Sequence, residues 1–171
     1  NLNLRGDRTN SGTIAGRTAV NLTADNVRNL GGRISGSDVN VQARTDLDNI
    51  GGQIIASTSL LATAGRDINI SSTSRSTTSG SNSFTSVDRL AGLYVTAQNG
   101  TLVASAARDM NLVAAALSSA GTATLQAQGS LNLQALSQAE TIDASRNADN
   151  YLRYNQSQSV GTSVQATNAQ S

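Results

Sequence analysis

Cysteine, histidine, lysine, proline and tryptophan are all absent from this 171-residue sequence, and most of these absences exclude a class of structure or chemistry. Without cysteine there is no disulfide framework of the kind that supports many small secreted domains. Without histidine there is no Ser-His-Asp triad, and the loss of both residue types excludes nearly all zinc sites. Without lysine there is no Gly-Lys-Ser/Thr phosphate loop. We therefore predict no catalytic residues, no cofactor and no metal.

Aromatic and charged residues are also scarce. Aromatic residues make up 2 % of the chain and charged residues 13 %, with a net charge of +1. Any core must therefore be built from Leu, Ile, Val and Ala, which favours thin, layered packing over a round globule. The small and balanced charge makes nucleic acid an unexpected partner. The chain starts in the middle of a pattern at Asn1–Leu4 without a signal peptide, so we expect it to belong to a longer protein.

Apolar residues recur about every 20 positions. Ile14, Ile34 and Ile54 form one series with a spacing of 20 residues. A second series has spacings of 20, 21, 42 and 21, and consists of Val27, Leu47, Ile68, Met110 and Leu131. We interpret the interval of 42 as two periods, with Leu90 near the missing middle. Repeats of this length are typical of solenoid proteins.

Short apolar-polar-apolar triplets accompany these series, such as Ile68-Asn69-Ile70 and Leu131-Asn132-Leu133. This alternation is the period of a half-buried strand, and Gly- and Asn-rich breaks separate the triplets. The sequence therefore predicts an all-β parallel β-helix, or β-solenoid, with coils of about 20 residues over residues 1–136. Coils stack about 4.8 Å apart, so six or seven of them would form a rod of roughly 30 Å.

Two segments depart from the repeat. Residues 71–88 are polar and rich in Ser and Thr, and we predict a protruding hairpin or loop that replaces part of one coil. The pattern weakens after Gln134, and residues 137–171 contain two of the four aromatic residues, Tyr151 and Tyr154. This region is interpreted as a degenerate repeat, a cap or a flexible tail.

Asn29 and Asn49 occupy equivalent positions and have two interpretations. Their side chains could stack into an amide ladder along the rod, as in other stacked β structures. Alternatively, Asn could serve there because it tolerates the left-handed backbone of tight corners. The sequence leaves both open.

The acidic residues Asp46, Asp48 and Asp67 also have two interpretations. Paired carboxylates cleave glycosidic bonds, and parallel β-helices include polysaccharide-active enzymes. However, these residues lie beside Arg44 and Arg66, which favours ion pairing at corners. The tripeptide at residues 5–7, Arg-Gly-Asp, is too short a match to predict cell attachment.

The elements Gly65–Ile70 and Ala107–Leu112 resemble the Ala-Gly-Arg-Asp element that recurs in haemagglutinin repeats, and residues 87–96 resemble a stretch found between such elements. The resemblance covers most of residues 1–136. It is to filamentous haemagglutinin and to the CdiA-type exoproteins of contact-dependent growth inhibition.

This resemblance implies a right-handed parallel β-helix within a very large exoprotein that is exported by two-partner secretion. Its expected partners are the outer-membrane transporter during export and then a target-cell surface or outer membrane. The expected location is secreted, at the bacterial cell surface. We therefore expect a structural stalk and an adhesive or toxin-delivery segment that is not an enzyme, with end-to-end self-association through exposed coils. A polysaccharide-active β-helix enzyme is the alternative.

Overall fold

A computed structural model describes residues 2–3, 6–147 and 149–167, and all the regular elements in these ranges are strands. The strands are β1 (Leu2–Asn3), β2 (Asp7–Asn10), β3 (Thr13–Ala15), β4 (Ala19–Ala24), β5 (Asn26–Leu30), β6 (Arg33–Ala43), β7 (Leu47–Ile50), β8 (Gln53–Ala64), β9 (Ile68–Ser71), β10 (Thr73–Ser79), β11 (Asn82–Arg89), β12 (Gly92–Val95), β13 (Thr101–Ala106), β14 (Met110–Val113), β15 (Ala116–Ser119), β16 (Thr122–Ala127), β17 (Leu131–Gln134), β18 (Leu136–Asn147), β19 (Asn150–Val160) and β20 (Ser163–Ala166).

These strands form three sheets. The long sheet contains ten parallel strands, β1, β3, β4, β6, β8, β12, β13, β15, β16 and β20, and the short sheet contains β2, β5, β7, β9, β14 and β17. The third sheet has four antiparallel strands in the order β10-β11-β18-β19, and is called the extruded sheet below. The chain passes from the long sheet to the short sheet and back once per coil.

The parallel register confirms the predicted β-solenoid. Coils of about 21 residues stack into about six turns. Ile14 pairs with Ile34 and Ile34 with Ile54, while Leu47 pairs with Ile68 on the other sheet. The two apolar series found in the sequence are therefore two stacks of side chains that run along the axis.

The core lies between the long and the short sheet. It is one cluster of aliphatic side chains, and its largest members, including Ile54, Leu60, Leu102 and Met110, are fully buried. Every second residue of a strand points inward, which is why the triplets alternate. Burial of one such side chain contributes roughly 1.5–3 kcal/mol. Aliphatic residues fill this narrow space, so large aromatic residues are not needed.

The 42-residue interval is a single step along the rod, so its interpretation as two periods is wrong. Leu60 pairs directly with Leu102, and Ile68 pairs directly with Met110. No coil lies between them, and Leu90 is exposed outside the core. The interval is long because β10 and β11 are inserted between β9 and β12, and because the corner before β13 is longer than the equivalent part of β8.

One corner, between the short and the long sheet, explains the Gly-Gly pairs at residues 31–32 and 51–52. The first glycine of each pair has a left-handed backbone, with φ of +68° at Gly31 and +60° at Gly51. The second has no room for a side chain, because a Cβ at Gly52 would lie 2.3 Å from Asn29 Nδ2 and 2.6 Å from Asn49 Oδ1. The next two coils have Ile70 and Leu112 at the position of Asn49, and there alanine replaces the second glycine.

Both hairpins leave the solenoid from this corner. The β10–β11 hairpin lies between Ser72 and Ala91, and the β18–β19 hairpin lies between Ala135 and Thr162. The Ser72 hydroxyl accepts a hydrogen bond from the Ala91 amide at 2.9 Å and donates one to the Ala114 carbonyl at 2.6 Å. Thr162 Oγ1 lies 3.0 Å from the carbonyl oxygen of Gln134. Hydrogen bonds therefore keep each coil continuous at the point where a hairpin is inserted.

The predicted protrusion at residues 71–88 is thus a hairpin, and it is added to a corner without replacing a strand of any coil. Residues 137–171 contain most of the second hairpin and also β20, which adds to the long sheet beside β15.

The two hairpins join into one sheet because their spacing matches. They leave the rod two coils apart, since β9 pairs with β14 and β14 with β17. Two coil steps span about 9.6 Å, and this is also the distance between the centres of two adjacent two-stranded hairpins in a sheet. Ser83–Thr85 of β11 therefore pairs with residues 139–141 of β18.

Candidate functional site

The extruded sheet carries three of the four aromatic residues, and all three are exposed to solvent. The exposed fractions are 52 % for Phe84, 61 % for Tyr151 and 43 % for Tyr154. The fourth, Tyr94, lies on β12 of the solenoid, where a Cβ at Gly92 would be 2.4 Å from its hydroxyl oxygen. Burial raises the pKa of Tyr94 above its ordinary value. The aromatic side chains available to a partner therefore lie on the hairpins.

One face of the extruded sheet, called the Phe84 face, combines an aromatic ring with amide and carboxyl side chains. Phe84 pairs with Glu140 and Glu140 with Gln156, so the three side chains form a row across the strands. Gln138 and Gln158 pair in the next row on the same face. A groove runs on each side of the Phe84 ring, one of which is lined by these three glutamines.

Tyr154 adds a polar contact to this face. Its hydroxyl donates a hydrogen bond to Gln156 Oε1, two residues along the same strand. The bond occupies the amide oxygen and leaves the Gln156 NH2 group as a donor. Ile142 pairs with Tyr154 and lines the second groove.

The opposite face is held by a different set of contacts. Arg153 Nε lies 3.4 Å from Asp143 Oδ1 across β18 and β19. The Arg153 guanidinium also lies 5.2 Å from the centre of the Tyr151 ring, within the range of a cation–π interaction. Ser76 and Thr85 share a hydrogen bond of 2.8 Å between their hydroxyls. The charged groups here contact one another, and the ring of Tyr151 contacts Arg153.

The predicted pairing of Arg and Asp at corners is confirmed for Arg66, and it connects successive coils. Arg66 donates two hydrogen bonds to Asp46 of the preceding coil, and Arg108 donates two to Asp67. Arg44 instead pairs with Asp25, at 2.5 Å. Each Arg-Asp element therefore clamps one coil to the one before it.

The same carboxylates cap backbone amides of the next coil. Asp67 Oδ1 accepts a hydrogen bond from the Asp109 amide at 3.2 Å, and Asp109 Oδ1 accepts one from the Ser130 amide at 2.8 Å. The hydrogen bonds from Arg108 are the main reason that the pKa of Asp67 is lowered, and those from Arg66 lower the pKa of Asp46. The Asp46 and Asp67 carboxylates therefore stay ionised at neutral pH as structural groups.

Acidification is expected to destabilise the rod because of these shifts. A carboxyl whose folded pKa lies below its ordinary value of 3.8 stabilises the fold above that value, and the stabilisation is lost as the pH falls through the folded pKa. The thermal midpoint, followed by circular dichroism, should be level from about pH 7 to pH 5 and should fall below about pH 4. An Asp67→Asn variant should melt lower at pH 7 and lose less on acidification. An equal loss in both proteins would exclude Asp67 as a cause.

The three acids considered for catalysis are thus tied into structural contacts. Asp46 and Asp67 belong to the Arg–Asp clamps, while Asp48 lies on the outer surface of β7. There it contacts Arg28 at 3.3 Å and accepts a hydrogen bond from Asn69 at 2.8 Å. Within residues 2–3, 6–147 and 149–167, no three acidic, His or Cys residues are grouped to hold a metal ion.

The amide ladder is confirmed for the asparagines inside the rod. Asn10 donates to Asn29 and Asn29 donates to Asn49, both at 2.8 Å. Asn29 and Asn49 are fully buried, lie within strands and have no positive φ, so the corner interpretation is wrong.

A second ladder runs outside the short sheet and was missed in the sequence. Asn69 donates to Asp48, Asn111 to Asn69 and Asn132 to Asn111, all at 2.8 Å. Its signal was the polar residue in the middle of each triplet. For the tripeptide at residues 5–7, Arg5 lies outside the described residues.

Comparison with family models, with curated proteins and with solved structures gave no match to this chain. In the part of the chain that the structure describes, there is no helix able to cross a lipid bilayer.

Proposed function

We propose that this chain is a stalk segment of a large secreted bacterial surface protein, and that the extruded sheet is its contact surface for a target cell. The observation that carries the proposal is the placement of the two hairpins. Both leave the rod at one corner, both leave the coils continuous, and together they display Phe84, Tyr151 and Tyr154. This arrangement suits a scaffold that presents a surface.

The polar contacts between neighbouring coils support the stalk part of the proposal. Arg66 and Arg108 clamp neighbouring coils, and the asparagine ladders connect others. Such contacts join each coil to its neighbours, as expected for a solenoid stabilised coil by coil. They stabilise the stacking of the coils and do not involve the extruded sheet.

The resemblance of the Arg-Asp elements to haemagglutinin repeats supports the biological setting of the proposal. The proposed setting is the bacterial cell surface after export through an outer-membrane transporter, in adhesion or in toxin delivery to another cell. The alternative, a polysaccharide-active enzyme, would need two cooperating carboxylates. Among the residues that the structure describes, Glu140 is the one acidic residue that lines the two grooves beside Phe84.

The proposal is tested by the binding of the labelled chain to intact cells. Flow cytometry would measure binding to Gram-negative bacteria and to cultured animal cells, with a variant that lacks residues 73–90 as control. We expect saturable binding by the complete chain and its loss in the variant. Absence of binding to every cell type, or equal binding by the variant, would contradict the contact surface. Shortening of a polysaccharide during incubation would favour the enzyme.

For the isolated 171-residue chain, end-to-end association is proposed to occur through the C-terminal coil. Leu131, Leu133 and Val164 continue stacks of inward-facing side chains, yet their exposed fractions are 45 %, 58 % and 45 %. The matching positions at the other end are Arg8 and Asn10, because β2 and β17 belong to the same stack of strands. Head-to-tail stacking would set Leu131 against Arg8, so two C-terminal ends are the better partners.

A Leu133→Asp variant should therefore remain monomeric at concentrations where the parent chain dimerises, as measured by light scattering after gel filtration. Leu30→Asp is the matched control, because Leu30 is exposed on the outside of β5. Equal dimerisation of the parent and both variants would exclude the terminal coil as the interface.

A further inference from the structure

We infer that the Phe84 face binds a neutral, linear glycan, with the Phe84 ring as the platform for one sugar unit. This inference rests on the proposed function and names the chemistry of the surface that the extruded sheet would recognise. It depends on three features of the described residues: an exposed ring, a set of amide groups around it and grooves lined by a single charged side chain.

The ring supplies the apolar part of the site. About half of Phe84 is exposed to solvent. One side of a pyranose ring presents C–H groups, and these pack against the flat, electron-rich face of an aromatic ring. Phe84 lies on β11, an inner strand paired on both sides, so the platform is held by the sheet.

The amide groups supply the polar part. Sugar hydroxyls both donate and accept hydrogen bonds, and a glutamine amide offers both kinds of group on one side chain. Gln138, Gln156 and Gln158 line the groove next to Phe84 together with Glu140. Tyr154 holds the oxygen of Gln156, which orients its NH2 group as a donor. A protein surface for hydrophobic peptides would have little use for this density of amides.

The charge of the site selects against anionic glycans. Glu140 is the one charged side chain among the described residues that line the two grooves. Arg75 is on the same face, because it pairs with Ser86 two residues along β11 from Phe84, but it lines neither groove. A single carboxylate accepts hydrogen bonds from neutral hydroxyls but repels sulfate and uronate groups. The site therefore fits a neutral chain better than heparin-like or pectin-like polymers.

The grooves on both sides of the ring indicate a ligand longer than one sugar. The first contains the glutamines, and the second is lined by Asn82, Ile142 and hydroxyl side chains of β10. A linear chain that crosses Phe84 would contact both. Affinity should therefore rise from the disaccharide to longer oligomers, whereas a monosaccharide should bind poorly.

The test uses immobilised oligosaccharides of two to six units from cellulose, xylan, mannan and starch, with heparin and oligogalacturonate as anionic probes. The complete chain should bind at least one neutral series. Phe84→Ala should weaken that binding at least about tenfold, as expected for loss of a central aromatic contact, and Phe84→Tyr should restore it. Gln156→Ala should weaken it by roughly threefold or more. Tyr151→Ala, on the opposite face, is the matched control and should bind like the parent.

Circular dichroism must show unchanged strand content and thermal midpoint for each variant, so that a loss of binding reports on the face. Failure to bind any neutral series, preference for the anionic probes, or full binding by Phe84→Ala would overturn the inference. Cell binding that survives periodate oxidation of surface glycans but is lost after protease treatment would also overturn it, while leaving the proposed contact function intact. Glycan binding without cell binding would support the glycan site and contradict the proposed contact with a target cell.

Discussion

Replacing Asn29 with alanine is expected to lower the free energy of unfolding by about 2–4 kcal/mol, a large effect for the removal of one polar side chain. The Asn29 side chain is fully buried. It donates to Asn49 Oδ1 at 2.8 Å and to the Gly32 carbonyl at 3.0 Å, and it accepts from Asn10 Nδ2 at 2.8 Å. Its removal leaves Asn49 Oδ1 without this hydrogen bond inside the rod, while the Gly32 carbonyl keeps the bond from the Gln53 amide at 2.9 Å.

The size of the effect depends on burial. A buried polar group without a partner loses its hydration and gains nothing in return, whereas an exposed one bonds to water. Asn132→Ala is the matched control, because Asn132 makes the same amide bond, at 2.8 Å to Asn111, on the exposed outer ladder. This variant should lose less than about 1 kcal/mol.

Both variants would be measured by urea unfolding followed by circular dichroism, with thermal midpoints as a second readout. A loss for Asn29→Ala no larger than that for Asn132→Ala would show that the inner ladder contributes only surface-like stability. A Gly52→Ala variant would probe the same ladder from the backbone, since its Cβ would meet the amides of Asn29 and Asn49.

Excision of residues 73–90, with Ser72 joined to Ala91, is expected to remove the binding of cells and glycans while the solenoid still folds. Ser72 and Ala91 are already neighbours, because the Ala91 amide donates to the Ser72 hydroxyl at 2.9 Å. They would form a two-residue corner like Gly31–Gly32 and Ala114–Ala115. The strands on either side, β9 and β12, pair with other coils and do not depend on the hairpin.

Binding should be lost because the excision removes Phe84 and breaks the pairing of β11 with β18. Strand content and thermal midpoint would be measured by circular dichroism, and elongation by small-angle scattering. A second variant, in which residues 136–161 are excised, serves as a comparison. It lacks Glu140 and the glutamines of the Phe84 face but keeps Phe84. Collapse of the rod in the first variant would mean that the hairpin is part of the folding unit.

Much of the solenoid could be predicted because its repeat is local. Each inward residue needs an apolar partner one coil away, so Ile14, Ile34 and Ile54 recur at nearly constant spacing. The position of the acids beside Arg44 and Arg66 at corners indicated Arg–Asp pairing, although its direction between coils required the structure. The interval of 42 misled because spacing alone cannot separate an extra coil from an inserted hairpin and a longer corner.

The second hairpin was harder to find. The turn-prone residues at 147–150 lie between two runs of mostly polar residues, and this was the available signal. Such runs carry no alternation of apolar residues when both faces of a sheet are exposed, so the usual sign of a strand is missing. The Phe84 face could not be predicted at all, because it joins side chains that lie more than 50 residues apart.

The sequence by itself determined the all-β class, the coil of about 20 residues, the aliphatic core and the lack of histidine and cysteine chemistry. These follow from composition and from contacts that repeat at a fixed interval. The tertiary structure alone decided that both insertions leave one corner, two coils apart, and join into a single sheet. The physical reason is that two distances agree. Two coil steps along the rod cover about the same length as the spacing between two adjacent two-stranded hairpins in a sheet. That match brings Phe84 beside Glu140 and Gln156 and creates the surface on which the proposed function depends.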